Sequence, residues 1–303
     1  MRPDEPVDET LLVVGAGTMG SQIAQQAALH GISVTLVDLS ADQLRRAVET
    51  NQGHLERMTA KGRLTAAQAE AALARVATTT DLAATASTAD WAIEAIIETE
   101  AAKQDVFRAL DAHLPAHAGI ASNSSNIIVS RLAPATHRPE LCCNMHFFHP
   151  VLVMNLCEIG RGPQTSDSTV ARAVRWSERM QRTPVVLERE VDGFIVNRVL
   201  GAATREAFTL VANGAASFSD VDVAVRAGLR WPLGPFELCD FNGLDTVLAV
   251  RRDRLAREGH PGDLATVGLL ERLVEAGRLG RKAGRGFYDY STDPPRPAPL
   301  PLS

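Results

Sequence analysis

The sequence predicts an α/β chain: a Rossmann-type doubly wound parallel sheet with an inserted helical hairpin, followed by a mainly α-helical C-terminal domain. Three observations carry that reading. A short apolar run, Leu11 to Val14, stops at a glycine-rich turn that opens a helical stretch. Strand-length apolar runs then alternate with helical patterns as far as residue 189, as layered α/β domains require. Beyond Asp192-Gly193 few strand candidates remain and long helical patterns take over. The 303 residues suit two domains, because one hydrophobic core rarely grows past about 250 residues.

The elements follow in order. Met1 to Thr10 is acidic, contains proline and lacks an apolar centre, so residues 1–10 are expected as a flexible leader, not a secretory signal. Leu11–Val14 has the unbroken apolar character of a buried parallel strand. Gly15-Ala16-Gly17-Thr18-Met19-Gly20 leads into Ser21–His30, with Ile23, Ala27 and Ala28 at helical spacing and Gly31 as the stop. Val34–Val37 is a second β-branched run ending at Asp38. From Ala41 to Ala77 the pattern is helical, charged and alanine-rich, broken at Lys61-Gly62, which reads as the inserted hairpin. Trp91–Ile97, Gly119–Ser122, Leu141–Met145 and Val185–Leu187 are the further strand candidates.

The first domain is therefore drawn at residues 11–189 and the helical one at 190–291. Ile195–Val211 is its first long helix, and Pro232, Gly234 and Pro235 mark a loop between helices. The tail, residues 292–303, carries Pro294, Pro295, Pro297, Pro299 and Pro301 and is expected as a flexible, extended end.

Composition removes several classes of function. Hydrophobic residues make up 45% and charged residues 22%, which is ordinary globular usage. A net charge of −5 supplies no basic field, so nucleic acid is not an expected partner. No apolar run approaches the ~18 residues of a membrane span, and a cytoplasmic protein without a membrane partner is expected. Cys142, Cys143, Cys157 and Cys239 have no CxxC spacing, which argues for buried reduced thiols and against a metal site or disulfide framework.

A lone GxGxxG is weak evidence, but here it follows a strand and opens a helix, the context that a dinucleotide site requires. Gly15 permits the tight turn, Gly17 lets the backbone approach a pyrophosphate, and Gly20 lets helix and strand pack closely. The pyrophosphate charge then meets unpaired N–H groups at the helix start. Asp38 closes the second strand, 18 residues after Gly20. A carboxylate there accepts both adenosine ribose hydroxyls and repels a 2′-phosphate, and Leu39 and Ser40 offer no arginine to replace it, so NAD is expected over NADP.

The most informative stretch is Met145-His146-Phe147-Phe148-His149-Pro150, followed by Val151 to Glu158. An apolar strand delivers His146 to its end, and Glu158 lies twelve residues on in a second apolar run. Oxidising an alcohol requires removal of the hydroxyl proton as hydride leaves. Histidine, with a pKa of about 6.5, suits that step, and a carboxylate on its ring would fix the tautomer and stabilise the imidazolium. A lone histidine on an apolar strand is more often a hydrogen-bonded core residue, so its context decides. Ser122-Asn123-Ser124-Ser125-Asn126 follows a strand, at the carboxyl end where such sheets bind ligands, although a polar turn also serves simply to cap the next helix. Asn197 sits in an otherwise apolar helix start, where burying an unpaired amide is costly; it bonds either to backbone or to a substrate oxygen.

Taken in order, these segments resemble the 3-hydroxyacyl-CoA dehydrogenase family from about Leu11 to Tyr288. The likeness rests on Gly15 to Gly20, Glu94-Ala95-Ile96-Ile97-Glu98, Ala121 to Ser125, His146-Phe147-Phe148, Asp192 to Arg198, Pro232-Leu233-Gly234-Pro235-Phe236-Glu237 and Gly286-Phe287-Tyr288. The resemblance implies that His146 is the general base and Glu158 its partner. It implies that Ser125 touches both substrate oxygen and cofactor, and that Asn197 holds the substrate oxygen. Glu98, Lys103 and Lys282 match cofactor-contact positions, while His54 and Lys61 fall where the hairpin meets CoA. A homodimer through the C-terminal domain is likewise implied. Two positions depart from the pattern: His149 stands where the family usually has an asparagine beside the cofactor, and Asn126 replaces the second of two serines. A larger, titratable ring at His149 implies altered NAD affinity or an added pH dependence. The activity implied is hydride transfer between C3 of an (S)-3-hydroxyacyl-CoA and NAD. The rivals are a relative acting on a sugar acid or other free hydroxy acid, and a cofactor-binding structural or sensor protein without turnover.

Overall fold

The chain is described from a computed structural model that covers residues 9–259 and 261–301. Most of the expected leader (residues 1–8) and the last two residues of the tail lie outside the described residues. The leader is also shorter than expected: Glu9 pairs with Arg179 at 2.5 Å, and Thr10 already opens a strand.

The elements run β1 (Thr10–Val14), α1 (Thr18–Leu29), β2 (Ser33–Val37), α2 (Ala41–Ala60), α3 (Ala66–Ala74), β3 (Val76–Thr79), α4 (Leu82–Ala86), β4 (Trp91–Glu94), α5 (Glu100–His113), β5 (Gly119–Ser122), β6 (Cys142–Phe147), β7 (Leu156–Gly160), α6 (Asp167–Arg179) and β8 (Thr183–Leu187). They build one eight-stranded sheet in the order β3-β2-β1-β4-β5-β6-β7-β8. Six of its neighbouring pairs are parallel; β6 and β7 form an antiparallel pair.

Leu11–Val14 reads as an unbroken apolar run because both faces of its strand are covered. Leu11 and Val13 join one core layer with Leu36, Trp91, Met145 and Phe147. Leu12 and Val14 join the other with Val37, Ala92, Ile120 and Phe107. Side chains alternate across a strand, so a sheet sandwiched between helices needs apolar residues at every position.

One expectation is corrected in this sheet. The helical run predicted to reach Ala77 ends at Ala74, and Val76–Thr79 becomes the edge strand β3, whose half-exposed residues lack the apolar signal of a central strand. After His149 the chain turns, and β7 begins at Leu156.

The described residues fall into two compact units, the first ending at Ile195 and the second beginning at Val196. The second contains α7 (Val196–Ala212), α8 (Phe218–Leu229), α9 (Pro235–Asn242), α10 (Leu244–Glu258), α11 (Pro261–Glu275) and the short strands β9 (Tyr288–Asp289) and β10 (Arg296–Pro297). Two carboxylates organise its core. Asp222 accepts the backbone N–H groups of Phe236 and Glu237 at the start of α9 and the Tyr288 hydroxyl. Asp240 accepts those of Phe287 and Tyr288. The segments Pro232–Glu237 and Gly286–Tyr288 thus meet inside this unit around Phe208, Phe218, Phe236 and Phe287.

The tail is corrected as well. Arg296–Pro297 pairs antiparallel with Tyr288–Asp289, Ala298 donates to Phe287 O at 2.8 Å, and Arg278 Nη1 donates to Pro299 O at 2.6 Å. Proline lacks an N–H, but here the prolines serve as acceptors or fall between the donors that are used.

Candidate active site

The glycine-rich turn joins β1 to α1, at the carboxyl edge of the sheet. A Cβ on Gly20 would fall 1.8 Å from Gly15 O, whereas one on Gly17 would meet nothing within 4 Å. The third glycine is therefore required by packing, and the second leaves open space over the turn. No side chain caps the start of α1 and its first turn holds no acidic residue, which leaves its N–H groups for an anion. Asp38 ties this turn to the end of β2: one carboxylate oxygen accepts Ala16 N–H at 2.8 Å and the other Ser40 N–H at 2.9 Å. The side chain is half-buried, so lone pairs remain for ribose hydroxyls. An open glycine, an uncapped helix start and an accessible carboxylate fit a dinucleotide. Thr18 is exposed, and Met19 packs against the core.

His146 stands near the end of β6, directly opposite Glu158 in the antiparallel register with β7. Cross-strand partners share one face of a sheet, and the imidazole Nδ1 lies 2.9 Å from Glu158 Oε2. Both groups are buried. The other carboxylate oxygen accepts the N–H of Ile195 at 3.0 Å. A carboxylate only accepts, so Nδ1 carries the proton and Nε2 is left as the acceptor. Phe194 stacks on the imidazole at 5.2 Å between centroids and Phe148 tilts against it at 4.5 Å.

Phe194 has a positive φ of 48°, a conformation that costs a bulky residue roughly 1–3 kcal/mol and is held here by complete burial. A Cβ on Gly160 would sit 2.8 Å from the Phe194 ring and 3.1 Å from the Asn144 side chain. Gly160→Ala is therefore expected to push Phe194 off the imidazole, lowering turnover about tenfold or more along with thermal stability. Steady-state kinetics beside a melting curve check this, and an alanine variant that melts and turns over as wild type would contradict it.

The Ser122–Asn126 turn follows β5. Ser125 is half-buried; its N–H donates to Glu98 Oε1 at 3.1 Å, and its hydroxyl accepts the Asn126 amide at 2.9 Å. Asn123 Oδ1 accepts the N–H of Phe147 at 3.0 Å, which ties this turn to the strand of His146. Lys103 is buried, with its ammonium held between Glu94 and Glu98. His149 is exposed and His54 half-buried. Burial first, then Arg57 and His149, lowers the His54 pKa, so α2 and the segment after β6 lie within electrostatic reach of each other. Lys61 is exposed at the end of α2. The four cysteines are free and buried. Burial pushes the thiols of Cys142 and Cys157 up to about 12, which removes them as nucleophiles.

Sequence reasoning missed Asn123, Phe194 and, above all, Glu94 as site-building residues. The signal for Glu94 was present: one acid in an otherwise apolar strand run is stable only with partners.

The comparisons with known proteins bear on the whole chain. The family described as 3-hydroxyacyl-CoA dehydrogenase, NAD binding domain, matches residues 10–191, and its C-terminal domain matches residues 193–290. The chain belongs to the 3-hydroxyacyl-CoA dehydrogenase family. It is 39% identical over 286 residues to a 3-hydroxybutyryl-CoA dehydrogenase of Bradyrhizobium diazoefficiens, covering 94% of this chain and 96% of that one. It is 35% identical to the mitochondrial hydroxyacyl-coenzyme A dehydrogenase of Homo sapiens, covering 92% of this chain and 90% of that one. Among solved structures it is similar to the (S)-3-hydroxybutyryl-CoA dehydrogenase of Ralstonia eutropha, with a TM-score of 0.85, 38% identity and coverage of 94% and 99%.

In this family member the remaining expected residues lie in the helical unit. Asn197 occupies the first turn of α7 and is exposed, so the cost of burying its amide does not apply. Lys282 forms an exposed ion pair with Asp245 at 2.6 Å. No helix among the described residues is long and apolar enough to cross a membrane.

Proposed function

We propose that this family member transfers hydride between C3 of an (S)-3-hydroxyacyl-CoA and NAD, with 3-oxoacyl-CoA as the oxidised product. The observation that carries the reading is the buried His146–Glu158 pair near the carboxyl end of β6, in a chain that matches the family along both domains. A bound NAD would supply the hydride acceptor for C3. His146 Nε2 takes the hydroxyl proton, and Glu158 holds Nδ1–H and stabilises the imidazolium. Ser125 and Asn197 hold the substrate oxygen.

The turn Gly15–Gly20 and Asp38 bind the dinucleotide, with Glu98, Lys103, His149 and Lys282 as the further cofactor residues. His54 and Lys61 bind CoA, lysine serving phosphate as a point charge. A homodimer through the helical domain completes the proposal, and that domain carries exposed apolar side chains, Val199, Val223, Phe241 and Val250. The buried reduced thiols support a cytoplasmic setting.

Loss of NADH absorbance tests the reading, with acetoacetyl-CoA compared against free acetoacetate. The thioester is expected to be consumed with a kcat/KM roughly 100-fold or more above the free acid, because binding energy from the remote CoA is spent at the reacting carbon. The reverse ranking would favour a free hydroxy acid as substrate. NAD binding without turnover of either compound would favour a non-catalytic protein.

A further inference from the structure

We infer that Glu94 is a positioning residue for Ser125, acting through Lys103 and Glu98 on the Ser124–Asn126 turn. The inference rests on the catalytic reading above. Glu94 ends β4 opposite Ser122 of β5 and has no exposed surface. Its Oε1 accepts from Lys103 Nζ at 2.7 Å and from Ile96 N–H at 2.7 Å, while Oε2 accepts the Ser122 hydroxyl at 2.7 Å.

Lys103, 1% exposed, reaches the site from α5. Its ammonium also lies 3.3 Å from Glu98 Oε2. Glu98 then grips the turn with its other oxygen, which accepts from the Ser124 hydroxyl, Ser125 N–H at 3.1 Å and Asn126 N–H at 3.2 Å. Burial would raise the Glu98 pKa, but the Ser124 hydroxyl, Lys103 and the Asn126 N–H outweigh it and hold the group below its ordinary value. It therefore stays an acceptor at neutral pH.

One cation thus serves two carboxylates, and the position of Glu98 depends on how Lys103 divides between them. With Glu94 made neutral, the buried ammonium has Glu98 as its remaining carboxylate among these groups. Removing one partner of a buried pair leaves a charge that must find compensation. Glu98 would move toward Lys103, and its hold on the Ser125 and Asn126 amides would loosen. Asn123 would still tie the turn to Phe147, so the turn would be retained but misplaced. A misplacement on the ångström scale costs up to about 100-fold in rate.

The test compares wild type, Glu94→Gln, Glu98→Gln and the double variant. The measurements are kcat and KM for acetoacetyl-CoA, the melting temperature, and amide hydrogen exchange across residues 122–127. Glu94→Gln is expected to lower kcat about 10- to 100-fold with KM changed less than about threefold, and to speed exchange at Ser125 and Asn126 above the rest of the sheet. In the Glu98→Gln background it is expected to add less than about twofold, since the path is already cut. Multiplying losses, or a lowered melting temperature with wild-type kcat, would overturn the inference.

Should Glu94→Gln fail to fold, the Glu94→Gln/Lys103→Met variant removes both charges of the pair and is expected to show the same local exchange. Unchanged exchange in either protein would count against the inference. Absence of wild-type turnover on acyl-CoA would instead refute the catalytic reading, and the exchange data would still decide the link from Glu94 to the turn.

Discussion

Replacing His146 with alanine is expected to lower kcat by ~100-fold or more, the usual scale of general acid–base help, while leaving NADH binding within about threefold. The alcohol proton has to leave as C3 gives up hydride, and His146 Nε2 is the acceptor that the Nδ1 bond to Glu158 leaves available. The dinucleotide turn lies on β1, α1 and β2, where Asp38 and Gln43 brace it through Ala16 and Ser40 without help from His146. Binding and turnover should therefore separate. Fluorescence titration with NADH beside steady-state kinetics measures both, and a variant that binds NADH and keeps near-normal kcat would remove His146 from its role.

Glu158→Gln is expected to have an effect at least as large, about 10³-fold or more, the scale seen when a carboxylate that sets a histidine tautomer becomes an amide. The orientation of the new amide follows from the structure. Ile195 N–H donates to Oε1, so the glutamine carbonyl oxygen must take that place. Its NH₂ group then faces His146 Nδ1, which has to become an acceptor. The ring proton moves to Nε2, the position that has to receive the substrate proton. Loss of the carboxylate charge also withdraws support from the imidazolium. Steady-state kinetics would show a fall in kcat with KM little changed, and a glutamine variant within tenfold of wild type would contradict the assignment.

The parts of this fold legible in the sequence are those set by local pattern. Leu11–Val14, the glycine turn and Asp38 declare a strand, turn, helix and strand because each step uses neighbouring residues. His146 and Glu158 lie twelve residues apart, and a hairpin register is enough to bring them together. The parts not legible depend on distant partners. Lys103 enters the sequence reading only as a position that the resemblance places at the cofactor, and its burial between Glu94 and Glu98 depends on how β4 and α5 come together. The proline-rich tail reads as unpacked because its acceptors, unlike donors, leave no trace in the pattern, and its pairing with Tyr288–Asp289 is supplied by a strand of only two residues. Asn197 errs in the opposite sense: apolar neighbours suggest burial, yet the first turn of α7 leaves it exposed.

The most direct test of proton transfer at His146 is the single-turnover rate of NADH oxidation by acetoacetyl-CoA in wild type, in His146→Ala, and in His146→Ala with added imidazole. Slow transfer in the variant that speeds up with imidazole concentration is the predicted result. Transfer at the wild-type rate in the variant without imidazole would contradict it.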